Sequence, residues 1–455
     1  MVISGRVPLL LLIGVGAVLV RPAGSTAALW VLAVVVALLV DRVATVSPDR
    51  IRIGRRGIDA IRLGERSASL LLVENTARRR VRVQIRDAWQ PSAGARDNRH
   101  QLPLDVGEAR PLRTPLAPRR RGDLRADGVT VRVWGPCGLA GRQRRYEVPG
   151  SIRALPAFPA RKHLPSRLAR LRELDGRAAV RLRGPGTEFD SLREYVRGDD
   201  VRSVDWRATA RSTQVVVRTW QPERDRRVVL VLDTSRTSAG RVGVDAETGR
   251  ELTGGQPRDD HGVDAVPRLD AAMDAALLLS ALAARAGDRV DFLAGDARVR
   301  SRVRTAGGRD VTARLSEAMA DLAPVIAEAD WEALAAGIQE LGRQHALVVL
   351  LTALEPSAIA EGLLPVLGPL TRHHRVVLAA VRDPRLAEMA TLDPDAGASA
   401  EQVYDAAAAA SDLERRRATS AVLERLGVQV IDVDAAQLAP ALADHYLALK
   451  AAGQL

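Results

Sequence analysis

The chain has 455 residues, of which 47% are hydrophobic and 27% are charged. This length allows two or three domains with buried cores, and the composition excludes a chain that is disordered throughout. The formal net charge is +12, but 65 of the 67 basic residues are arginine and alanine is very abundant. GC-rich codon usage explains that pattern more simply than selection for phosphate contacts, so we do not expect nucleic acid as the partner. The single cysteine, Cys137, excludes an intrachain disulfide and any zinc site with two or more thiolates.

Two apolar segments open the sequence. Residues 7–20 (VPLLLLIGVGAVLV) and 23–40 (AGSTAALWVLAVVVALLV) are uncharged and are separated only by the dipeptide RP. Fourteen residues of helix cover about 21 Å of the roughly 30 Å hydrocarbon core, and preceding residues close most of the gap if Arg6 snorkels. We predict a transmembrane hairpin over residues 1–45, with spans at about 3–20 and 23–40. A cleaved signal peptide is the alternative for the first segment, although the second would remain as a span.

Arginines orient the predicted hairpin. One arginine lies in the connecting turn, whereas five follow the second apolar segment: Arg42, Arg50, Arg52, Arg55 and Arg56. Because positively charged flanks stay in the cytoplasm, we predict a multi-pass protein of the cell membrane with both termini and the soluble bulk in the cytoplasm.

Residues 46–160 form a basic, β-rich, membrane-proximal segment. Stretches such as VRVQIRDAW and VTVRVWG alternate apolar and polar residues between Gly, Asn and Pro, as is typical of a β-sandwich-like domain. The segment carries 24 arginines against 11 Asp and Glu, so it accounts for the whole positive excess of the chain. Solvated strand faces are the simple explanation. Beside a membrane these arginines would also attract anionic inner-leaflet lipids, at about 1 kcal/mol per nearby charge, and we expect such lipids as partners.

From residue 226 to residue 455, apolar strands alternate with long helices. This order predicts a parallel α/β sheet covered on both faces, with ligands at the carboxyl ends of its strands. The strand RRVVLVLDTS ends there in Asp233, Ser235 and Thr237, whose oxygens suit Mg²⁺ or Mn²⁺; the alternative is that Asp233 caps the next turn. Residues 241–268 are rich in Gly, Asp and Pro and are predicted to form a mobile surface loop beside Asp233.

The motifs of several enzyme classes are absent. Neither lysine of the chain follows a glycine-rich loop as a P-loop requires, and neither HExxH nor GxSxG occurs. The seven histidines are scattered. We therefore expect a protein that is not an enzyme.

Residues 161–225 form a connector that contains the charged stretch GTEFDSLREYVRGDDVRSVDWRATAR, 186–211. Its candidate interaction residues are Glu188, Phe189, Arg193, Tyr195, Gly198, Asp199, Asp200, Arg202, Asp205, Trp206 and Arg211. Aromatic side chains among charges of both signs suit a surface that is partly buried against another folded surface. We predict that these aromatics pack onto the α/β domain, so that Trp206→Ala would leave a cavity. An interface with a partner protein is the alternative.

This stretch, followed by VRTWQPERDRRVVLVLDTS, resembles the signature of the bacterial family catalogued as domain of unknown function 58. The pattern is G-x-E-F, L-R-E-Y, G-D-D-x-R, D-W, A-R and a strand ending in D-x-S. The resemblance covers most of the chain and implies that residues 226–455 form a von Willebrand factor A-like, Rossmann-like α/β domain. Members of the family typically accompany MoxR-type AAA+ ATPases, so the resemblance implies such an ATPase as the partner.

The von Willebrand A fold carries a metal-ion-dependent adhesion site with D-x-S-x-S in its first loop. The chain matches it with Thr for the last Ser, at Asp233, Ser235 and Thr237. A later loop normally supplies Ser-Asp after a buried strand, but here Thr352 stands for the Ser and Ala353 for the Asp. The missing carboxylate weakens a site for Mg²⁺ or Mn²⁺, unless Glu355 replaces it.

The resemblance thus implies a membrane-tethered, non-enzymatic interaction protein that works with the ATPase in the assembly or activation of other complexes. A metal-dependent enzyme with an unrecognised site and a basic nucleic-acid-binding protein are the alternatives.

Overall fold

The computed structural model describes residues 2–57, 59–181, 188–196, 200–221, 226–242, 266–305, 310–342, 344–391 and 399–455. The chain divides into two compact units, Met1–Leu155 and Pro156–Leu455. The first unit contains the apolar N-terminal helices and a β-rich domain, and the second contains an α/β domain. The described chain is therefore a mixed α/β protein with several sheets.

The first unit begins with a short strand and two apolar helices: β1 (Val2–Ile3), α1 (Arg6–Val20) and α2 (Gly24–Ala44). The helices pack closely at Gly14, where a Cβ atom would lie 2.2 Å from the Trp30 ring. The Trp30 indole N–H also donates a hydrogen bond to the Leu10 carbonyl at 3.0 Å. Glycine at position 14 is therefore required by the close approach of the two helices.

Only the second of these helices has the length and hydropathy of a membrane span. Among the described residues, the helical stretch Gly24–Arg50 passes both criteria, with a mean hydropathy of 2.2. Helix α1 has 15 residues and reaches about 22 Å at 1.5 Å per residue, which is short of a roughly 30 Å hydrocarbon core. The finding weakly indicates membrane association through α2, and it does not support the predicted first span.

The β-rich domain consists of two sheets. Its strands are β2 (Ile51–Arg55), β3 (Ile61–Arg62), β4 (Ser67–Asn75), β5 (Val81–Trp89), β6 (Arg99–Leu104), β7 (Ala109–Leu116), β8 (Gly122–Trp134), β9 (Ala140–Tyr146) and β10 (Ser151–Leu155). One sheet has the order β2-β4-β7, and the other the order β1-β9-β8-β10-β3, with β5 joining β6 to β8. Alternate apolar residues of both sheets, such as Leu71, Ile85 and Val131, form a common core, which is the reason for the period of two in the sequence.

Both ends of the helical hairpin are attached to the same part of this domain. Val2 and Ile3 pair antiparallel with the start of β9. At the other end, the buried carboxylate of Asp41 accepts hydrogen bonds from the backbone N–H groups of Cys137, Leu139 and Ala140 at 2.7–2.8 Å. The beginning of α1 and the end of α2 therefore lie on one side of the hairpin, beside the loop that follows β8.

The second unit begins with helix α3 (Leu164–Arg181) and a hairpin of β11 (Glu188–Glu194) and β12 (Val216–Gln221), with the short helix α4 (Trp206–Thr209) between its strands. The α/β domain follows with β13 (Arg227–Asp233), β14 (Arg241–Val242), β15 (Val266–Pro267), α5 (Arg268–Arg285), β16 (Arg289–Gly295), β17 (Val299–Val303), α6 (Val311–Ala320), α7 (Trp331–Leu341), β18 (Leu347–Leu351), α8 (Pro356–Ala358), α9 (Leu364–His373), β19 (Arg375–Arg382), α10 (Pro384–Ala390), α11 (Ala400–Arg425), β20 (Val428–Asp434) and α12 (Ala435–Ala451). Of the predicted loop 241–268, residues 243–265 lie outside the described residues.

The six-stranded sheet has the order β17-β16-β13-β18-β19-β20. All neighbouring strands run parallel except the edge pair β16–β17. Helices α3, α5, α6 and α12 contribute to the core on one face, and α7, α9 and α11 to the core on the other. Strands such as β13 are apolar throughout because helices cover both faces.

The strand order defines a crevice at one end of this sheet. The chain passes from β13 outward to β16 and β17, and then returns to the opposite side of β13 to form β18, β19 and β20. The helices that follow β13 and β18 therefore diverge, and the carboxyl ends of these two strands form the topological switch point at which open α/β sheets bind ligands.

Candidate functional site

The structure brings the predicted hydroxyl and carboxylate residues together at this switch point. Asp233 is the last residue of β13 and is buried. Its Oδ1 atom accepts a hydrogen bond from the Ser235 N–H at 2.7 Å. Its Oδ2 atom accepts hydrogen bonds from the hydroxyl groups of Thr237 at 2.9 Å and Thr352 at 2.6 Å. The Ser235 and Thr237 hydroxyl oxygens are 3.2 Å apart.

The surroundings of Asp233 include an arginine that the sequence analysis did not identify. Arg268, Ala353 and Asp233 line one small cavity of about 10 Å³. Burial lowers the pKa of Arg268, and the nearby charge of Arg416 adds to the effect. The sequence places Arg268 at the end of the predicted loop 241–268, whereas the structure makes it the first residue of α5. The helical spacing of the apolar residues that follow is the signal that indicates a helix start there.

The remaining acidic side chain of the second loop is engaged elsewhere. The Glu355 carboxylate pairs with the Arg236 guanidinium at 3.2 Å, and Arg236 also contacts Glu328. The hydrogen bond that Arg236 donates to Glu328, followed by the charge of Glu355 and the hydrogen bond donated to it, raises the pKa of Arg236. Glu355 therefore stabilises the cation beside Ser235 and does not take the place of the aspartate missing at Ala353.

These residues do not fit a divalent cation. Mg²⁺ requires octahedral oxygen coordination and usually at least one or two carboxylates with bound waters, whereas both oxygens of the Asp233 carboxylate already accept hydrogen bonds. A cavity of about 10 Å³ barely accommodates one water molecule, and Arg268 is among the residues that line it. Among the described residues, no group of three His, Cys, Asp or Glu side chains is arranged to hold a metal ion.

A second acidic group at this end of the sheet is paired through one oxygen only, because the Oδ2 atom of Asp296 accepts both of its side-chain hydrogen bonds and its buried Oδ1 atom accepts none. Asp296 follows β16 and accepts hydrogen bonds from the Thr234 hydroxyl at 2.8 Å and the Arg300 Nε atom at 2.7 Å. Burial alone would raise the pKa of Asp296, but these hydrogen bonds outweigh it and lower the pKa. The hydrogen bonds to Asp233 and Asp296 help to order the loop after β13.

The charged stretch of the connector forms the hairpin of β11 and β12. The backbones of Glu188 and Phe189 pair with those of Gln221 and Trp220, and Arg193 lies further along β11. Gly198 and Asp199 lie outside the described residues. Arg211 is exposed in the turn after α4.

The aspartates of this hairpin act as local caps. Asp200 accepts a hydrogen bond from the Arg202 N–H at 2.9 Å, and Asp205 accepts hydrogen bonds from the Arg207 and Ala208 N–H groups at 2.9 Å. The Arg218 Nε atom lies 2.7 Å from Asp205. The hydrogen bond from Ala208, followed by that from Arg218, lowers the pKa of Asp205. The charge pattern of this stretch therefore specifies turns and a helix start within the hairpin.

The predicted internal packing of Trp206 is wrong. Its side chain is 68% exposed at the first position of α4, directly after the capping Asp205. Several neighbours are also exposed apolar side chains: Leu192, Tyr195, Val196, Val201 and Val215. Among the described side chains of this hairpin, Val217 is the buried apolar one. We refer to Trp206 and its five exposed neighbours as the hairpin apolar group.

The fold and these two features define a multi-domain, mixed α/β protein with an apolar N-terminal helix, a polar sheet crevice and a charged hairpin. Residues 191–254 match the family described as "Protein of unknown function DUF58". This match includes most of the hairpin and the loop after β13, and it supports the resemblance noted from the sequence.

Two curated relatives are the "Uncharacterized protein Rv1480" of Mycobacterium tuberculosis and the "Uncharacterized protein Mb1516" of Mycobacterium bovis. Each is 26% identical to this chain over 221 residues, which are 47% of this chain and 59% of the relative. The chain thus spans about three-fifths of the length of these relatives. They are consistent with the family match.

Among solved structures, similarities are found to the PapD-like domain 7 of human CEP192 and to the CARDB domain of the PF1109 protein from Pyrococcus furiosus. They are 16% and 13% identical, with TM-scores of 0.19 and 0.18. They cover 24% and 23% of this chain and 87% of each of those chains. TM-scores this low support no conclusion about the fold of the chain.

Proposed function

We propose that this chain is a non-enzymatic, membrane-tethered assembly factor whose β11–β12 hairpin binds a MoxR-type AAA+ ATPase. The observation that carries the proposal is the exposure of Trp206, which is 68% exposed amid the hairpin apolar group. Tryptophan is among the residues most enriched at the centres of protein interfaces. Exposed apolar side chains surrounded by charges are typical of surfaces that a partner covers.

The charges of the hairpin indicate the chemistry of the partner surface. The described side chains from 192 to 218 include five arginines and three acids: Arg193, Arg202, Arg207, Arg211 and Arg218 against Glu194, Asp200 and Asp205. The Arg218–Asp205 pair is internal, and basic side chains outnumber acidic ones among the exposed side chains of this stretch. A complementary surface has an apolar pocket for the Trp206 indole and an acidic rim.

The α/β domain supports the von Willebrand factor A-like part of the proposal. Its six strands follow one another across the sheet in the order third, second, first, fourth, fifth, sixth, with the third antiparallel. The loop residues that resemble an adhesion site meet at the switch point, around Asp233. With the Asp233 carboxylate satisfied by hydroxyl groups, we propose that this domain acts as a rigid support for the hairpin rather than as a metal-dependent adhesion site.

The tether is proposed to be a two-helix hairpin with both ends in the cytoplasm. Two observations support this topology: β1 pairs with β9 before α1 begins, and Asp41 near the end of α2 binds the loop directly preceding β9. If α2 crosses the bilayer, α1 must cross it as well, because the start of α1 and the end of α2 contact the same part of the β-rich domain. The apolar side chains exposed along α2, such as Leu29, Leu32 and Val40, suit contact with lipid.

The test is affinity enrichment of the full chain from native membranes after mild crosslinking, with identification of the captured proteins by mass spectrometry. We expect an AAA+ ATPase to be enriched with the wild-type chain. Trp206→Ala should weaken binding to that purified ATPase by about 2 kcal/mol or more, or about 30-fold, as for an interface hot spot.

Tyr404→Ala is the matched control, because Tyr404 is an aromatic residue that is 77% exposed on α11, outside the hairpin. It should leave ATPase binding unchanged. Absence of any AAA+ ATPase from the wild-type capture, or undiminished binding by Trp206→Ala, would contradict the proposal.

A further inference from the structure

A large cavity lies at the membrane-proximal end of the β-rich domain, and nothing in the proposed function uses it. Its volume is about 830 Å³, and it is lined by residues of three origins. Ser4 and Arg6 lie just before and at the start of α1, Ala44 is the last residue of α2, and the remaining residues come from the β-rich domain. The cavity therefore lies where the helical hairpin joins the sheets.

The cavity is strongly basic. Arg6, Arg79, Arg80 and Arg82 line it, and no described lining residue is Asp or Glu. Among the described ion pairs, Arg80 contacts Asp105 at 3.3 Å through two well-exposed side chains, a pair that contributes little in water. Four guanidinium groups around one cavity repel each other unless an anion is present.

The other three guanidinium groups contact backbone carbonyls, which orient them without neutralising them. Arg6 donates to the Cys137 carbonyl at 3.2 Å and Arg82 to the Pro136 carbonyl at 2.6 Å. Arg79 donates to the carbonyl of Ala44. A guanidinium has five N–H donors, so each of these arginines retains donors for a ligand. Oriented arginines suit the bidentate recognition of phosphate oxygens.

The rest of the lining is apolar in part. Val46, Val83, Leu102 and Trp134 also border the cavity. A ligand that combines a phosphate with a glycerol or acyl portion would satisfy both kinds of surface. The end of an apolar helix also lies at the depth of the lipid phosphates when that helix spans a bilayer.

We propose that this cavity binds the phosphate of an anionic phospholipid headgroup, held by Arg6, Arg79 and Arg82. The proposal rests on the membrane tethering in the proposed function, but it requires neither the ATPase nor the hairpin apolar group. It extends the general attraction of a basic domain to anionic lipid, because a defined cavity with oriented donors predicts a stoichiometric site.

The test is native mass spectrometry of the full chain in neutral detergent micelles doped with dioleoylphosphatidylglycerol or with dioleoylphosphatidylcholine. We expect one phosphatidylglycerol to be retained per chain, at least tenfold in preference to phosphatidylcholine. The double variant Arg79→Gln/Arg82→Gln should reduce that retention about tenfold or more. Equal retention of both lipids by the wild type would overturn the proposal.

The matched control is Arg113→Gln/Arg125→Gln, which removes two exposed arginines of the same domain that do not line the cavity. It should retain phosphatidylglycerol like the wild type, and an equal loss in both double variants would show general charge attraction and overturn the site. Thermal unfolding of each variant checks folding, and Arg82→Gln alone replaces the double variant if that one unfolds.

A final arm separates lipid from soluble phosphate. Inorganic phosphate at millimolar concentration should leave the lipid bound, because it lacks the glycerol and acyl portions that contact the apolar lining. If inorganic phosphate displaced the lipid at equal concentration, the assignment to a lipid would be wrong. Lipid binding that persists while the ATPase test fails would separate this proposal from the proposed function.

Discussion

Asp41 provides the sharpest test of how the helical hairpin is attached. Asp41→Ala removes one buried carboxylate, 1% exposed, that accepts three backbone hydrogen bonds from Cys137, Leu139 and Ala140. Hydrogen bonds to a charged group contribute about 1.5–3 kcal/mol each. These contributions are not additive, because N–H groups that lose the carboxylate regain hydrogen bonds to water. We therefore expect the local stability of the loop to fall by about 3–5 kcal/mol, the range for breaking a buried charged contact.

The assay is amide hydrogen exchange of the full chain in detergent, followed for the peptide that covers residues 135–141. Each 1.4 kcal/mol of lost local stability accelerates exchange tenfold, so the expected acceleration is at least about 100-fold. Asp127→Ala is the control, because Asp127 pairs with Arg145 at 2.9 Å while 61% exposed and exposed pairs contribute about 0–1 kcal/mol. Exchange of residues 137–140 at the wild-type rate in Asp41→Ala would refute the reasoning.

Three further predictions concern the second unit. Adding Mg²⁺ or Mn²⁺ at millimolar concentration should leave the melting temperature unchanged within 1 °C (about 0.3–0.5 kcal/mol for a domain of this size), because the Asp233 oxygens are already engaged; a metal-dependent rise that Asp233→Ala abolishes would contradict this. Burial, followed by the nearby charge of Arg375, lowers the pKa of His445 from 6.5, so its contribution to stability is fully present above pH 6.5 and is lost as pH falls from there towards the folded pKa. Unfolding midpoints between pH 7.5 and 5.5 should therefore fall less for His445→Gln than for the wild type, and equal slopes would contradict the assignment. Asp205→Ala removes a helix cap worth about 1 kcal/mol, so exchange of the amides at 207 and 208 should accelerate while global melting is unchanged; unaltered exchange there would show that the cap is dispensable.

The sequence alone was sufficient for features that depend on local pattern. Continuous apolar strands such as β13 indicate a sheet buried on both faces, and the period of two in β5 indicates a sheet with one buried face. Asp233 could be placed at a strand end because it directly follows the last apolar residue of such a continuous run. The uncharged run 23–40 likewise identified the helix that is long enough to span a membrane.

Features that depend on contacts between distant residues were decided only by the tertiary structure. Asp41 ends an apolar run, yet its three partners lie about a hundred residues away, and no local pattern reveals that they meet. Arg268 borders the Asp233 cavity because α5 packs against β13 in the folded domain, although the two residues are not close in sequence. Arg6 and Arg82 likewise line one cavity although they are far apart in the sequence.

Trp206 shows the limit most directly. Its charged neighbours suggested a sealed, buried indole, but Asp205 and Arg218 instead stabilise the turn from which the side chain projects. A single sequence reports which groups can form hydrogen bonds, and local spacing predicts caps and strand periodicity. Exposure depends on which other surfaces cover a side chain, and those surfaces are brought together only when the whole chain has folded.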